Sequence, residues 1–205
     1  SFGLTQCAER AALTAAISAG EPPGSLDLLV LYIPGERAHP PCGACRQVMR
    51  ELMYSAHVLA PARDLSGPNL RLHTTKLNMK SAGYGAAVEW HQDYAFYPHT
   101  NDDILAIGVI IDDMASENGP LMVYPGSHKG PVYDHHVDGV FAGAFIPEDV
   151  GLDPKDAVEL KGPAGSISIH HGRIVHGSAL NTSDRSRRIL FYEMMAADAF
   201  PVMGS

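Results

Sequence analysis

The sequence predicts a mainly β protein, built as a sandwich or a barrel, with a small α/β segment in front of it. Short apolar or alternating runs recur from residue 70 onward, and clusters of Gly, Pro, Asn and Asp separate them. Such spacing is typical of many short strands joined by tight turns. All three cysteines lie in the first quarter, whereas ten of the eleven histidines follow residue 56. The chain therefore changes its metal-ligand chemistry partway along, as two joined units would.

The composition is that of an ordinary globular protein, with 205 residues, 45% of them hydrophobic and 19% charged. The formal net charge of −8 argues against a nucleic-acid backbone or an anionic membrane as the main partner. The longest apolar runs, residues 28–33 and 104–111, are far shorter than the roughly 20 residues that a membrane helix needs. No secretory signal is visible. We expect a cytoplasmic protein with a small-molecule substrate, no nucleic acid and no membrane.

Residues 1–56 are predicted to form a helix, a strand and a second helix. Good helix formers fill residues 11–19, and Gly20 is placed to end that helix. Residues 26–33 form a short apolar run between breakers, which is typical of a buried strand. Helical spacing returns at residues 48–53. This part of the chain is therefore predicted as the small α/β segment.

Cysteine motifs precede both predicted helices. Cys7 lies in a Cys-Ala-Glu-Arg motif, and Cys42 and Cys45 lie in a Pro-Cys-Gly-Ala-Cys-Arg-Gln motif. Three thiolates that include a Cys-x-x-Cys pair can close three sides of a tetrahedral Zn²⁺ and leave the fourth for water. Glu9, two residues from one thiolate, could carry the proton of that water without binding the metal.

Together these motifs resemble the cytidine deaminases of the three-cysteine, usually tetrameric type. The resemblance covers residues 1–56 and implies Cys7, Cys42 and Cys45 as Zn²⁺ ligands, with Glu9 as the catalytic proton shuttle. It also implies an oligomer formed through this part, and hydrolytic conversion of cytidine to uridine as an alternative function. The ribose-binding motif of that family has no match here, which counts against deaminase activity. A structural zinc site or three unrelated buried cysteines stay alternatives.

Residues 57–205 are predicted as the β unit. Residues 60–68 are turn-rich and are expected to form the boundary between the two units. The runs predicted as strands are residues 70–79, 86–90, 104–111, 121–124, 166–170 and 189–195. Turns rich in Gly and Pro, such as residues 117–120 and 125–130, divide them.

A candidate metal site lies within this unit. His91 and Asp93 stand two residues apart in a predicted strand, so their side chains point to the same face of the sheet. His176, in another strand-like run, can complete a set of two imidazoles and one carboxylate. Non-haem Fe(II) oxygenases use this set with other positions open, although a hydrolytic zinc site accepts the same ligands.

Arg187 lies eleven residues beyond His176. That distance allows a tight turn and a return along the neighbouring strand, which would place an arginine beside the metal pocket. Its planar fork suits a carboxylate held by two hydrogen bonds. A dicarboxylic 2-oxo acid could then chelate iron with one end and bind Arg187 with the other.

Several segments of this unit resemble the phytanoyl-CoA dioxygenase family, namely residues 76–80, 90–93, 117–121, 125–130 and 176–178. The resemblance covers about residues 60–205 and implies a double-stranded β-helix (jelly roll) that uses Fe(II), 2-oxoglutarate and O₂. The implied reaction is hydroxylation of an unactivated C–H bond, coupled to decarboxylation of 2-oxoglutarate to succinate and CO₂. In place of the helices that brace the sheet in that family, this chain carries the cysteine segment.

Site residues follow from the same resemblance, position by position. The implied iron ligands are His91, Asp93 and His176. Arg187 and Ser178 are implied at the distal carboxylate of 2-oxoglutarate. Asn78 is implied as an amide that contacts the co-substrate, and Thr75 as a further residue that lines the same pocket.

The remaining polar residues are interpreted as structural. The histidines interpreted as satisfied core or surface groups are His99, His128, His135, His136, His170 and His171. The arginines interpreted as solvated or ion-paired are Arg173, Arg185 and Arg188. A third hypothesis, beside dioxygenase and deaminase, is a non-catalytic chimaera of two fragments in which both sites are incomplete.

Overall fold

The computed structural model describes residues 49–202. These residues divide into two units after Pro61, and the β-sheets belong to the unit that begins at Ala62. Within the described part, no helix is long and apolar enough to cross a membrane. The residues of the cysteine site, namely Cys7, Glu9, Cys42 and Cys45, lie outside the described residues.

Helix α1 (Ala56–Ser66) occupies most of the stretch that was predicted to be turn-rich. The prediction was wrong because the Ala, Leu and Arg residues on both sides of Pro61 are strong helix formers, and they outweigh the hydrogen bond that proline removes. The helix ends at Gly67, which has φ +84° and whose N–H donates to the carbonyl of Arg63 at 2.9 Å. Glycine adopts this left-handed conformation without steric cost.

The strands of the described chain form two four-stranded antiparallel sheets and one hairpin. The first sheet has the order β1-β10-β3-β8, with β1 (Leu70–Lys80), β10 (Arg187–Ala196), β3 (Ile104–Ile110) and β8 (Ile167–His171). The second has the order β2-β9-β4-β7, with β2 (Val88–His91), β9 (His176–Ser178), β4 (Leu121–Val123) and β7 (Val158–Leu160). The hairpin consists of β5 (His136–Val137) and β6 (Val140–Phe141). This mainly β, antiparallel architecture agrees with the predicted jelly roll.

All six predicted strands are present, and their ends lie within two residues of the predicted ones. The hairpin strands β5 and β6 and the short strand β7 were not predicted. Their residues are few and largely exposed. Short exposed strands carry little apolar periodicity, so the sequence offers no signal for them.

The core lies between the two sheets. Its cluster combines residues of the first sheet with residues of the second, namely Ala106, Ile110, Ile189 and Phe191 with Leu121 and Val123. Every residue of β3 is buried, which explains why its run is continuously apolar instead of alternating. Burying an aliphatic or aromatic side chain contributes about 1.5–3 kcal/mol, so this shared cluster holds the two sheets face to face.

Candidate functional site

A cavity of about 200 Å³ opens between the sheets. One part of its wall, called here the histidine end, consists of His91, Asp93, His170 and His176. Another part, called here the arginine end, consists of Asn78, Ser178 and Arg187. Sites for drug-sized ligands measure about 300–1,000 Å³. The cavity is therefore suited to a small ligand.

His91 and His176 face each other on adjacent strands of the second sheet. The register pairs them directly, and their ring centroids are 4.1 Å apart. Gly177 permits this close approach, because a Cβ at that position would lie 2.8 Å from the carbonyl oxygen of Val88. A larger residue would push β9 away from β2.

Asp93 joins the two histidines from outside the strand. β2 ends at His91, and Asp93 begins a 3₁₀ helix (Asp93–Ala95), so the prediction that both residues share a strand was wrong. Gln92 between them stays extended, with φ −124° and ψ 124°, and both side chains still reach the cavity. The candidate ligand atoms of His91, Asp93 and His176 lie within 4.8 Å of one another.

Backbone carbonyls orient both imidazoles. Nδ1 of His91 lies 2.7 Å from the carbonyl oxygen of Glu89, and Nδ1 of His176 lies 3.0 Å from that of Ile174. Because a carbonyl can only accept, Nδ1 carries a proton in each ring, and Nε2 is the ring nitrogen that faces Asp93. Burial lowers the pKa of His176 to about 3, so that ring is neutral at ordinary pH.

The carboxylate of Asp93 is buried and ionised. Burial opposes its ionisation, but His170 and His91 beside it hold its pKa well below the usual value. Its Oδ2 has no hydrogen-bond partner in the described part of the chain. A buried carboxylate beside the Nε2 atoms of two imidazoles is a donor set that fits a divalent cation.

Arg187 contacts a backbone carbonyl at the other end of the cavity. Its Nε and Nη2 donate to the oxygen of Gly119 at 3.1 and 2.8 Å. The residue is 2% exposed, and no Asp or Glu of the described residues forms an ion pair with it. Burial lowers its pKa to about 10, which leaves it charged at neutral pH. A buried guanidinium without a counter-ion fits the carboxylate of a ligand.

The chain reaches Arg187 by crossing from the second sheet to the first. β9 and β10 lie in different sheets, so the predicted return along the neighbouring strand was wrong. Asn181 fixes the crossing: its N–H donates to the oxygen of Gly85 at 2.9 Å, and its Nδ2 donates to the oxygen of Arg185 at 2.7 Å. Because the sheets face each other, Arg187 still lines the same cavity as the histidines.

The other predicted co-substrate residues divide into two groups. Asn78 and Ser178 line the cavity together with Arg187. Thr75 is exposed and does not line it. Strand alternation explains the difference, because Lys76 and Asn78 face the cavity whereas Thr75 faces away from it.

The sequence interpretation missed His170. The structure buries it to 5% exposure and places it in the cavity wall, with Nε2 3.6 Å from Oδ2 of Asp93. Its position on β8, in the sheet opposite His176, could not be inferred from the spacing of the two histidines.

Two lysines of β1 were also missed. Lys76 lines the cavity, and its Nζ lies 2.6 Å from Oε1 of the buried Glu193. Lys80 is 4% exposed, and its Nζ donates to the carbonyl oxygens of Ala86 and Ala179. Burial, with Arg187 nearby, lowers the pKa of Lys80 to about 8. The period of two along β1 was the signal that could have placed both lysines on the face of Asn78.

Gln92 joins the histidine end to two later segments. Its Nε2 donates to the carbonyl oxygens of Pro131 and Arg173 at 3.1 and 2.7 Å, and its Oε1 accepts from the N–H of Tyr133 at 2.8 Å. Its own N–H donates to Nε2 of His135 at 3.0 Å. Gln92, which lies between two candidate ligands, is thus fully buried, and both Nε2 and Oε1 of its amide form hydrogen bonds.

The arginines interpreted as structural are confirmed as ion-paired. The pairs are Arg173 with Asp102 at 2.7 Å, Arg185 with Glu117 at 3.0 Å and Arg188 with Asp112 at 2.6 Å. Arg187 is thereby distinguished from its neighbours in sequence, because its guanidinium contacts a carbonyl instead of a carboxylate.

The fold and the site define a class, namely a jelly roll with a His-Asp-His ligand set and a buried arginine in one cavity. Residues 35–189 match the phytanoyl-CoA dioxygenase (PhyH) family, and the chain belongs to that family.

Known relatives support this assignment. The chain is 45% identical over 157 residues to a "Probable alpha-ketoglutarate-dependent hypophosphite dioxygenase" of Stutzerimonas stutzeri, covering 75% of this chain and 54% of the relative. It is 33% identical over 170 residues to an L-proline trans-4-hydroxylase of Streptomyces griseoviridis, covering 73% and 63%. It is also similar to the solved structure of the epimerase SnoN in complex with Fe³⁺, alpha ketoglutarate and nogalamycin RO. The TM-score is 0.63 at 29% identity, covering 75% of this chain and 60% of that one. The chain thus spans between 54 and 63% of the length of these relatives.

The family match begins inside the segment that was predicted to resemble a deaminase. It includes Cys42 and Cys45, which the sequence interpretation assigned to a separate unit ending at residue 56. The match therefore gives no support to a cytidine-deaminase segment, and that segment stays a prediction.

Proposed function

We propose that this protein is an Fe(II)- and 2-oxoglutarate-dependent dioxygenase that acts on a small molecule. One observation carries the proposal: a cation-binding set and an unneutralised arginine share one cavity. The donors of His91, Asp93 and His176 suit Fe(II) and leave further coordination positions for reactants. A hydrolytic zinc site would use the same ligands, but it gives Arg187 no function.

The roles of the chain's own residues follow from their positions. His91, Asp93 and His176 would hold the metal, and Arg187 with Ser178 would bind the distal carboxylate of 2-oxoglutarate. The chemistry that iron supplies with 2-oxoglutarate and O₂ is decarboxylation of the co-substrate coupled to oxygenation of the substrate.

Other residues of the cavity would orient the co-substrate and exclude water. Asn78, on the same face of β1 as Lys76, lines the arginine end of the cavity and would present its amide to the co-substrate. The apolar side chains of Leu121, Ile189 and Phe191 also line the cavity, together with Lys76. Apolar walls strengthen the attraction between Arg187 and a bound carboxylate, because the local dielectric is low.

The substrate is proposed to be small, with C–H hydroxylation as the reaction. The names of the two relatives above point to hypophosphite and L-proline, which both carry an anionic oxygen group at neutral pH. We therefore include a phosphorus oxyanion and an amino acid among the compounds to be tested.

Anaerobic addition of Fe(II) and 2-oxoglutarate tests the proposal. The parent protein should develop the visible charge-transfer band of the chelate, and Arg187→Met should need far more 2-oxoglutarate to develop it. Thr75→Val is the matched control, because Thr75 lies on β1 outside the cavity wall. Succinate release is then measured with hypophosphite and with L-proline. If the parent gives no band, or Arg187→Met titrates like the parent, the proposal is wrong.

A separate hypothesis concerns residues 1–56 and rests on their cysteine motifs alone. Cys7, Cys42 and Cys45 would hold Zn²⁺, and Glu9 would shuttle a proton in deamination of cytidine to uridine. Zinc that is lost in Cys42→Ser, together with uridine formation that is lost in Glu9→Gln, would support it. A parent protein that contains no zinc contradicts the deaminase hypothesis. A parent protein that neither releases succinate nor deaminates cytidine favours the non-catalytic chimaera.

A further inference from the structure

Three imidazoles surround the carboxylate of Asp93. Nε2 of His91 is 3.6 Å from Oδ1, while Nε2 of His176 and of His170 are 3.8 and 3.6 Å from Oδ2. His91 and His176 come from the second sheet, and His170 approaches from β8 in the first. Both ring nitrogens of His170 and Oδ2 of Asp93 lack hydrogen-bond partners among the described residues. Buried polar atoms without partners cost free energy, so their presence beside a cavity calls for a function.

The ring of His170 is held differently from the two candidate ligands. In His91 and His176 a backbone carbonyl fixes the proton on Nδ1. His170 has no such carbonyl, and its ring packs 4.5 Å from the ring of His176 and 5.9 Å from that of Phe191, centroid to centroid. Its proton is therefore free to reside on Nε2, the atom that faces Oδ2 of Asp93.

Counting coordination positions excludes His170 as a fourth ligand during turnover. An octahedral metal with three protein ligands keeps three positions, and a chelating 2-oxo acid with O₂ needs all three. A fourth imidazole would take one of them. This argument rests on the proposed function, and it leaves hydrogen bonding as the function of His170.

We propose that His170 is a positioning residue whose Nε2–H, 3.6 Å from Oδ2 of Asp93 in the metal-free structure, moves within hydrogen-bond distance and donates to that oxygen when a metal is held. The carboxylate then offers the metal Oδ1 alone, and a coordination position that a two-oxygen carboxylate would occupy stays open. Partners of this kind behind a metal ligand typically change metal affinity about 10–100-fold.

Two substitutions separate positioning from packing. His170→Phe keeps an aromatic ring beside Phe191 but removes the donor, whereas His170→Gln keeps an N–H donor. His171→Gln is the control, because His171 is adjacent on β8 yet does not line the cavity. For each variant we would measure the Tm of the metal-free protein, the Kd for Co(II), and the visible spectrum of the Co(II) form.

The expected pattern has three parts. His170→Phe weakens Co(II) binding about 10-fold or more and shifts the spectrum, and His170→Gln recovers most of both changes. The metal-free His170→Phe protein has a lower Tm than the parent, because the buried carboxylate of Asp93 loses a neighbouring N–H, and His170→Gln recovers most of this loss. His171→Gln binds Co(II) like the parent.

Other outcomes overturn the inference. His170→Phe that binds Co(II) like the parent, with the same spectrum, shows that His170 does not act on Asp93. Loss of one imidazole from the coordination sphere in His170→Phe, counted by X-ray absorption, makes His170 a ligand instead. A parent protein that binds no Co(II) contradicts the proposed function itself. Failure of the proposed function is thereby distinguished from failure of the inference about His170 alone.

Discussion

The two ends of the cavity are opposite in their hydrogen-bonding and charge balance. At the histidine end, the carboxylate of Asp93 and the Nε2 atoms of His91 and His176 form a set that could hold a cation. At the arginine end, Nε and Nη2 of Arg187 donate to the carbonyl of Gly119, and no carboxylate among residues 49–202 forms an ion pair with the guanidinium. One end is therefore suited to a cation and the other to an anion. In the proposed function, a metal chelated by a diacid would supply the cation to the histidine end and a carboxylate to the arginine end.

The ends also differ in how they are supported. The amide side chain of Gln92 fixes the histidine end to residues 131–133 and to Arg173. Backbone geometry supports the arginine end, where Gly119 has φ +73° and a Cβ would lie 2.5 Å from the oxygen of Ala179. Substitutions should therefore affect the two ends separately.

The largest effect is expected from removing the carboxylate of the histidine end. Asp93→Ala should lower Fe(II) affinity and succinate formation by at least about 100-fold, since even outer partners of metal ligands change affinity 10–100-fold. Fe(II) titration and succinate release measure it. Asp134→Ala is the control, because that carboxylate is exposed. If Asp93→Ala still binds Fe(II) like the parent, the metal site does not lie at the histidine end.

Arg187→Met should affect the arginine end alone. Losing two charge-assisted hydrogen bonds to a carboxylate costs about 3 kcal/mol, or roughly 100-fold in the Kd for 2-oxoglutarate. Affinity for Fe(II) without co-substrate should stay near that of the parent. Titration of the charge-transfer band gives the first quantity and metal titration the second. An equal loss of both affinities would contradict the division into two ends.

Gln92→Leu should weaken the support of the histidine end. It leaves two carbonyl oxygens and the N–H of Tyr133 without side-chain partners, and each unsatisfied buried group costs about 1–3 kcal/mol. Urea unfolding of the metal-free protein measures the loss. Gln92→Glu retains the acceptor for Tyr133 but turns a buried carboxylate oxygen towards the two carbonyl oxygens, so it should not recover the lost stability. A variant as stable as the parent would show that residues 131–133 are held by other contacts.

The smallest effect concerns the pH dependence of stability at the arginine end. The pKa of Lys80 is lowered from 10.5 to about 8 by burial and by Arg187. The unfolded chain therefore binds more protons between these values, and stability rises with pH across that window. Lys80→Met should lack this rise, and Arg187→Met should reduce it because the neighbouring charge is gone. Tm values from pH 7 to 10 test both statements, and parallel profiles in all three proteins would contradict them.

Local sequence patterns predicted the strands and the ligand set, and their limits have a physical cause. His91 and Asp93 were identified from their spacing, although Asp93 lies in a 3₁₀ helix. The end of β2 depends on hydrogen bonds from Gln92 to residues about forty positions away, which no local pattern contains. The crossing before Arg187 was missed for the same reason, because Asn181 fixes it through contacts with Gly85.

His170 shows the limit most clearly. It precedes His176 by six residues, but the two lie on opposite sheets and meet only because the sheets face each other. Alternation along β8 predicts the side of the sheet that a residue occupies, not which strand lies opposite. The prediction of turns at residues 60–66, which are helical, was wrong for a different reason: Pro61 was given more weight than the helix formers around it.

The pairing of β10 with β1 has a consequence for the length of the acid that the cavity accepts. Arg187 begins β10 opposite Lys80, and Phe191, which contacts His170, lies four residues further along opposite Lys76. At about 3.3 Å per residue the strand measures roughly 13 Å between these two positions. A slip of two residues would keep every inward side chain inward and still move the guanidinium by roughly 7 Å. If a diacid binds as proposed, discrimination between shorter and longer diacids would therefore depend on strand register.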